Sequence, residues 1–283
     1  MRVSPVNLAV TLTRQAAHAI MKTIKHRHPM GEKEDEMSDA EKRMLEIYGL
    51  TKSYGDKTAV EDLSFTVHAG ELCAFIGHNG AGKTTTLKCV AGILDFDSGH
   101  IRVDGIAVED DSIEVKKRIA YIPDNPDLYE FMTGMQFLNF IGDVFGVSAS
   151  LRAERIDKYS SALGLTDSEI GSPISTYSHG MKQKLALISA FLHDPKLILL
   201  DEPFVGLDPK ASHVLKEIMR DFCAAGGAIL FSTHILEVAE KLCDKVAIIK
   251  GGKLVTFGSM EEVKGDSSLE DVFLDLEDGN DDD

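Results

Sequence analysis

The chain has 283 residues, 43% of them hydrophobic, which is enough to bury a sizeable core in one large domain or a domain with a subdomain. The formal net charge of -16 argues against a nucleic-acid-binding protein, which would need a basic face. No apolar run approaches the roughly 18 residues of a membrane-spanning helix. We therefore expect a soluble protein, or one held at a membrane by something else.

Both ends of the chain differ from the middle. Residues 1–43 have basic residues but no acid before His28, and they lack the apolar core of a secretory signal. We predict a disordered extension or an over-assigned start; a basic segment that touches anionic lipid is the alternative. Residues 275–283 are predicted to be an acidic disordered tail, with an interaction tail as the alternative.

The four cysteines share no metal-ligand spacing, and each has apolar neighbours. We predict that they are buried thiols in a reducing compartment without disulfides. They are Cys73, Cys89, Cys223 and Cys243.

The ordered part is predicted to begin with a small antiparallel sheet. Strands are expected over 44–50 and 60–67, separated by a turn at 53–55. Tyr54, in that turn, could stack on an adenine base, although simple packing is the commoner role of such a tyrosine.

The segment 77–84, Gly-His-Asn-Gly-Ala-Gly-Lys-Thr, fits the phosphate-binding template G-x-x-x-x-G-K-[ST]. A buried strand is predicted before it, over 71–76, and a helix after it, over 85–91. Glycines let successive main-chain N–H groups point at phosphates, and the helix N-terminus adds partial positive charge. The residues predicted to bind nucleotide here are Gly77, His78, Asn79, Gly80, Ala81, Gly82, Lys83, Thr84 and Thr85.

Within this segment Lys83 is predicted to reach the β- and γ-phosphates, and the Thr84 hydroxyl to bind Mg²⁺. The sequence thus predicts an ATP site with Mg²⁺.

The middle of the chain is predicted to form two further strands, over 100–106 and 117–122, and then a helical region. From 133 to about 188 the apolar residues recur at helical spacing, with one helix expected over 152–163. We interpret residues 127–188 as an inserted helical subdomain. Its apolar stripe, predicted to be mostly core, consists of Met135, Phe137, Leu138, Phe140 and Ile141.

A continuous apolar strand over 196–200 ends at Asp201 and Glu202. Ligand groups gather at the carboxyl ends of strands in open α/β sheets, so Asp201 is predicted to hold Mg²⁺. Glu202 could position or deprotonate a water that attacks the γ-phosphate. The alternative for this pair is two solvated acids at a strand end.

The last predicted elements are a strand over 227–231, followed by His234, and a closing hairpin of 246–249 with 254–257. A histidine at a strand end is usually structural, but this one would lie at the same sheet edge as Asp201. The predicted fold class is α/β: a P-loop NTPase core with a mostly parallel sheet, an N-terminal antiparallel β subdomain and an inserted α-helical subdomain.

Together these residues resemble the nucleotide-binding subunit of ABC transporters over residues 44–274. Residues 177–181 (Tyr-Ser-His-Gly-Met) stand at the family's LSGGQ signature, with His179 in place of its first glycine. Residues 205–208 match the D-loop, and His234 matches the switch histidine. Tyr54 stands where the family has its adenine-stacking aromatic. Where the family usually has Gln, or sometimes Glu, this chain has Asp124, a shorter carboxylate that can accept from water or approach Mg²⁺.

The resemblance implies two subunits, a homodimer or a pair of related ATPase chains, that sandwich two ATP molecules. Ser178 and Gly180 of one subunit would cap the γ-phosphate held by Lys83 of the other. Glu202 would assist hydrolysis, and His234 would hold the γ-phosphate. The chain is then expected in the cytoplasm, on the inner face of the membrane, driving a transmembrane permease and no nucleic acid. The form of the signature resembles that of bacterial exporters.

Two other functions remain open at this point. A soluble ABC ATPase that acts on ribosomes or DNA would typically carry two cassettes or an interrupted one. A regulatory module that holds ATP without hydrolysing it is suggested by Asp124 and His179.

Overall fold

The structure, a computed structural model, describes residues 42–110 and 112–278. Residues 1–41, almost all of the predicted N-terminal extension, and residues 279–283 of the predicted tail lie outside this description.

The first sheet is antiparallel and has the strand order β2-β1-β4-β5. The predicted antiparallel subdomain is therefore confirmed, although its strands are longer than expected and the first turn falls at residues 55–56. The strand predicted over 100–106 is divided by a turn at residues 104–105. The strands are β1 (Arg43–Tyr54), β2 (Lys57–His68), β4 (Ser98–Val103) and β5 (Ile106–Ala107).

The second sheet has the order β10-β9-β3-β8-β7-β6 and is parallel except for the β9–β10 hairpin. This confirms the predicted parallel sheet and closing hairpin. Every residue of the adjacent strands β3, β8 and β7 is buried, as expected where both faces are covered. The strands are β3 (Leu72–Ile76), β6 (Ile119–Ile122), β7 (Leu197–Asp201), β8 (Ala228–Thr233), β9 (Lys245–Lys250) and β10 (Lys253–Ser259).

Successive side chains of β3 point to opposite faces and so enter two different cores. Leu72, Ala74 and Ile76 pack with residues of the helices, whereas Cys73 and Phe75 pack with the antiparallel sheet. The parallel sheet is thus covered by helices on one face and mainly by the first sheet on the other.

Helices connect these strands and form the inserted subdomain. Four of them, α3 to α6, make up that subdomain, and α3 begins with a capping box between Thr133 and Gln136. The helices are α1 (Lys83–Val90), α2 (Ser112–Arg118), α3 (Gly134–Val144), α4 (Ala149–Leu163), α5 (Asp167–Ile170), α6 (His179–Leu192), α7 (Pro209–Ala224), α8 (Leu236–Leu242), α9 (Met260–Lys264) and α10 (Leu269–Asp278).

The apolar stripe of α3 is only partly core. Phe137, Leu138 and Ile141 are buried, but Met135 is 38% exposed and Phe140 is half-buried. Met135 lies in the first turn of α3, at the edge of the subdomain rather than between the helices of that subdomain.

Two predicted boundaries were wrong. Lys117 and Arg118 end α2 rather than begin a strand, because both side chains pair with Glu114 on the preceding turn. Residues 275–278, assigned to the disordered tail, belong to α10. That helix is stable because its apolar residues Leu269 and Phe273 are buried despite the surrounding acids.

The four cysteines are free and buried, as predicted. Burial raises the pKa of the Cys89 and Cys223 thiols to about 12. None of the helices in the described part of the chain is long and apolar enough to cross a membrane.

At Gly99 the main chain of β4 packs closely against that of β1. The φ of Gly99 is +101°, and a Cβ there would lie 2.5 Å from the carbonyl oxygen of Gly49 and 2.6 Å from that of Tyr48. Both contacts are to backbone, which cannot rotate away.

We expect Gly99→Ala to lower the free energy of unfolding by about 2–4 kcal/mol, combining the strain of a positive φ with overpacking. Gly105→Ala is the matched control, because Gly105 also has a positive φ (+77°) but a Cβ there meets nothing within 4 Å. Thermal unfolding of the two variants measures the difference. Equal shifts in melting temperature would contradict the packing explanation.

Candidate active site

A cleft of about 380 Å³ opens between the segment 77–84 and the carboxyl ends of β6 and β7. It brings together most of the residues that the sequence predicted, and it adds Lys57 and Ala59 from the start of β2. The lining consists of Tyr54, Lys57, Ala59, Asn79, Gly80, Gly82, Lys83, Thr84, Thr85, Asp124, Asp201 and Glu202.

The glycines of the loop that joins β3 to α1 are required for different reasons. A Cβ at Gly77 would lie 2.4 Å from the carbonyl oxygen of Ile249, and one at Gly82 would lie 2.5 Å from that of Ala59. Gly80 has open space beside it but a φ of +84°, which L side chains rarely adopt. The loop is therefore held against β9 and β2 while its outer side faces the cleft.

Lys83 begins α1 and is 6% exposed. Its ammonium donates to the carbonyl oxygen of Gly77 and, at 3.1 Å, to that of His78. Burial lowers the Lys83 pKa, and the nearby carboxylates of Glu202 and Asp201 oppose that shift. The side chain is thus a charged donor held inside the loop.

Asp201, at the end of β7, is 2% exposed and has both carboxylate oxygens hydrogen-bonded. The Thr84 hydroxyl donates to Oδ2 at 2.6 Å, and the Ser232 hydroxyl on β8 donates to Oδ1. We did not single out Ser232 from the sequence. The signal that would have found it is the strand register, because Asp201 and Ser232 are paired across β7 and β8.

Glu202 follows Asp201 with a φ of +50°, a left-handed conformation rare outside glycine. Its N–H donates to the Ser232 hydroxyl at 3.0 Å and to the Ser232 carbonyl at 3.2 Å. Its carboxylate Oε2 lies 2.9 Å from Nδ1 of His234, whose side chain is 59% exposed. A strained backbone held by hydrogen bonds beside a cleft is typical of a functional position.

Asp124 lies just beyond β6, lines the cleft, and accepts a hydrogen bond from the N–H of Asn125 at 2.9 Å. Three residues earlier on the chain, the buried hydroxyl of Tyr121 has no hydrogen-bond partner among the described residues. Burial raises the Tyr121 pKa, and the charges of Asp201 and Asp124 raise it further. Tyr121 is a second residue of this neighbourhood that the sequence did not reveal.

Tyr54 ends β1 at the mouth of the cleft and is 51% exposed. The ammonium of Lys52 lies 5.5 Å from the centre of its ring. The Tyr54 ring is therefore not buried in a core, and its exposed side can contact a ligand in the cleft.

Ser178 and Gly180 do not line the cleft; they start α6, in the helical subdomain. The Ser178 hydroxyl caps that helix by accepting from the N–H of Met181 at 3.2 Å. Gly180 packs on Gly206 so closely that a Cβ would lie 2.6 Å from its carbonyl oxygen. The His179 ring also rests on Gly206, where a Cβ would lie 2.3 Å from the His179 Cδ2.

The segment 203–208 is tied to α6 at two more points. Asp208 caps α7 and forms an ion pair with Lys184 at 2.8 Å; that hydrogen bond, with the one from the N–H of Ala211, lowers the Asp208 pKa to about 2. The buried amide of Gln183 donates to the carbonyl of Pro203 at 3.4 Å. The start of α6 and this loop therefore form one packed unit.

The hydrogen-bond donors and oxygen ligands of the cleft fit a nucleoside triphosphate with a hard divalent cation. The main chain of the loop and the ammonium of Lys83 offer donors for phosphate oxygens. The oxygens of Thr84 and Asp201 are the kind of ligands that Mg²⁺ prefers alongside phosphate and water.

Comparisons with known proteins agree with this geometry. The ABC transporter family matches residues 60–205, a span that begins in β2 and ends just after Glu202. The uncharacterised ABC transporter ATP-binding protein YhcH of Bacillus subtilis (strain 168) is 37% identical over 223 residues, which are 78% of this chain and 72% of that protein.

Two further matches come from a named exporter component and a solved structure. The Nod factor export ATP-binding protein I of Burkholderia lata is 36% identical over 215 residues, 76% of this chain and 70% of that protein. A structure described as the ATP-binding subunit of an ABC transporter has a TM-score of 0.79 and 35% identity, and covers 83% of this chain and 99% of that one.

The parallel sheet with its phosphate loop, the Asp201–Glu202 edge and these similarities lead to one conclusion. The chain belongs to the ABC transporter family, as an ATP-binding ATPase subunit.

Proposed function

We propose that this subunit hydrolyses ATP in the cleft with Glu202 as the catalytic carboxylate, in a dimer that drives an export permease. The observation that carries the proposal is the arrangement around Asp201 and Glu202. Both acids lie at one sheet edge, one bonded to the phosphate-loop threonine and the other to His234.

Lys83 and the loop are proposed to hold the triphosphate. The ammonium already lies within the loop, against its carbonyl oxygens, so a small rotation of the side chain presents it to the β- and γ-phosphates. Residues 77–85 contribute main-chain donors at the N-terminus of α1, where the helix dipole favours anions. Tyr54, half-exposed at the cleft mouth, offers a ring face for the adenine.

Thr84 and Asp201 are proposed to hold Mg²⁺, with Asp124 approaching from the end of β6. The cation, when bound, offsets negative charge on the phosphate oxygens. Ser232 keeps the Asp201 carboxylate oriented through its hydrogen bond to Oδ1.

Glu202 is proposed to accept the proton of the water that attacks the γ-phosphorus, as the bond to the leaving oxygen breaks. The His234 Nδ1, at 2.9 Å, keeps the carboxylate in place, and the exposed remainder of that ring can hold the γ-phosphate. The fixed main chain of Glu202 limits its reorientation.

The working state is proposed to be a dimer, because Ser178 and Gly180 lie outside the cleft of their own subunit. At the N-terminus of α6 they suit a phosphate held by another subunit, either a second copy or a related chain. Dimerisation would thereby complete a site that one subunit leaves unfinished.

A membrane permease is the proposed partner and export the proposed direction. The similarity to a protein named for Nod factor export supports export, as does the exporter-like segment 177–184. The association would hold the subunit at the inner face of the cell membrane.

We expect Glu202→Gln to reduce kcat for ATP hydrolysis by about 100-fold or more, because the amide cannot accept the proton. Nucleotide binding should persist, so size-exclusion chromatography in ATP should show an accumulated dimer. Glu217→Gln on the exposed face of α7 is the control and should leave turnover unchanged. Full turnover by the Glu202 variant would contradict the assignment.

We expect Ser232→Ala to raise the Mg²⁺ concentration needed for half-maximal ATPase activity by about 10-fold, since Asp201 loses a partner that orients it. The measurement is a Mg²⁺ titration at saturating ATP. Ser189→Ala is the matched control: that buried hydroxyl donates to Ala186 within α6, away from the cleft. An unchanged titration curve for the Ser232 variant would remove the role proposed for this serine.

The permease partner is tested by purifying the tagged chain from detergent-solubilised membranes, where we expect an integral membrane protein in fixed ratio. Recovery of the chain alone would contradict the partner. In inside-out vesicles that carry the complex, export requires ATP to move cargo inward; ATP-driven loss of preloaded cargo would contradict the direction.

A further inference from the structure

The C-terminal helix α10 reaches the phosphate loop. The ring of Phe273 on this helix lies edge-on to the imidazole of His78, with 5.1 Å between ring centres and 62° between ring planes. Phe273 is 8% exposed, whereas His78 is exposed, so the contact lies where the packed face of α10 meets the surface of the loop. The helix is outside residues 60–205, the span that matches the family.

His78 occupies a position that the phosphate-loop template leaves open. A loop of this kind binds phosphate through its main-chain N–H groups, so the template does not require the His78 side chain for phosphate binding. The His78 carbonyl oxygen accepts from the ammonium of Lys83 at 3.1 Å. A contact that fixes the His78 ring therefore also restrains the main chain on which Lys83 rests.

Helix α10 is held firmly enough to present Phe273 in one place. Its first turn is capped by Ser268, whose hydroxyl donates to Asp271 at 2.7 Å and accepts from the Asp271 N–H at 3.1 Å. Leu269 is fully buried, and its N–H donates to Glu240 at 3.1 Å.

Glu240 belongs to α8, which begins two residues after His234. It also pairs with Lys264 of α9 at 2.7 Å. The C-terminal segment is thus fastened to the helix after the switch histidine and, through Phe273, to the phosphate loop.

We propose that Phe273 is a positioning residue for ATP binding, acting through His78 to hold the phosphate loop in its nucleotide-binding conformation. The loop between β3 and α1 contains three glycines with few side chains to anchor it, so an aromatic contact at its outer turn removes conformational freedom before nucleotide arrives. The proposal rests on the ATP hydrolysis proposed above.

We expect Phe273→Ala to raise KM for ATP about threefold to tenfold, the size of an aromatic pair interaction, while kcat stays within about twofold. His78→Ala should raise KM similarly, and the double variant should be no worse than either single one. Phe273→Leu, which keeps apolar packing but lacks the ring edge, should retain the melting temperature and still raise KM. Leu274→Ala, a 53% exposed neighbour on the same helix, is the control.

The proposal is overturned if Phe273→Leu leaves KM at the wild-type value, or if the His78 and Phe273 effects add in full. If Phe273→Ala fails to fold, the test uses Phe273→Leu instead, alone and in a double-mutant cycle with His78→Ala. Wild-type turnover is measured in the same assay. If the wild-type chain hydrolyses ATP but substitution of Phe273 leaves KM unchanged, only this proposal is overturned. If the wild-type chain shows no turnover, the result counts against the proposed hydrolysis itself.

Discussion

The site depends first on the buried carboxylate of Asp201. An ionised carboxylate that is 2% exposed is costly unless its oxygens are hydrogen-bonded, and here each oxygen accepts from one hydroxyl. Those hydroxyls belong to Thr84 and Ser232, so one side chain joins the start of α1 to the ends of β7 and β8. A displacement of the phosphate loop would break one of these bonds and leave the charge under-satisfied. Stability and placement of the site are therefore governed by the same interaction.

The phosphate loop is also fixed from its other side by contacts that only glycine permits. Gly77 touches the main chain of β9 and Gly82 that of β2, and the N–H of Gly252 donates to the carbonyl of Ala81 at 3.0 Å. These contacts come from both sheets, since β2 belongs to the antiparallel one and β9 to the parallel one. The shape of the cleft thus depends on how the two sheets are packed against each other.

Much of this could be predicted from the sequence because its signals are local. The phosphate loop, the apolar strand ending at Asp201 and the helical periodicity after residue 133 all lie in continuous stretches. Ser232 and Tyr121 were missed because their roles arise from neighbouring strands that are far apart in the chain. The last part of α10 was predicted to be a disordered tail because it is rich in acidic residues. A count of acids does not show where they lie on a helix, and in the structure Leu269 and Phe273 are buried on one face.

The strained main chain at Glu202 explains how two consecutive acids can serve one cleft. Side chains alternate between faces along a strand, so a regular β7 would point Asp201 and Glu202 in opposite directions. The φ of +50° at Glu202 breaks that alternation, and both residues line the cleft. A left-handed conformation costs about 1–2 kcal/mol for a residue with a Cβ. The two hydrogen bonds from the Glu202 N–H to Ser232 offset that strain. Ser232 therefore supports both acids at once, orienting Asp201 through its hydroxyl proton and Glu202 through its oxygens.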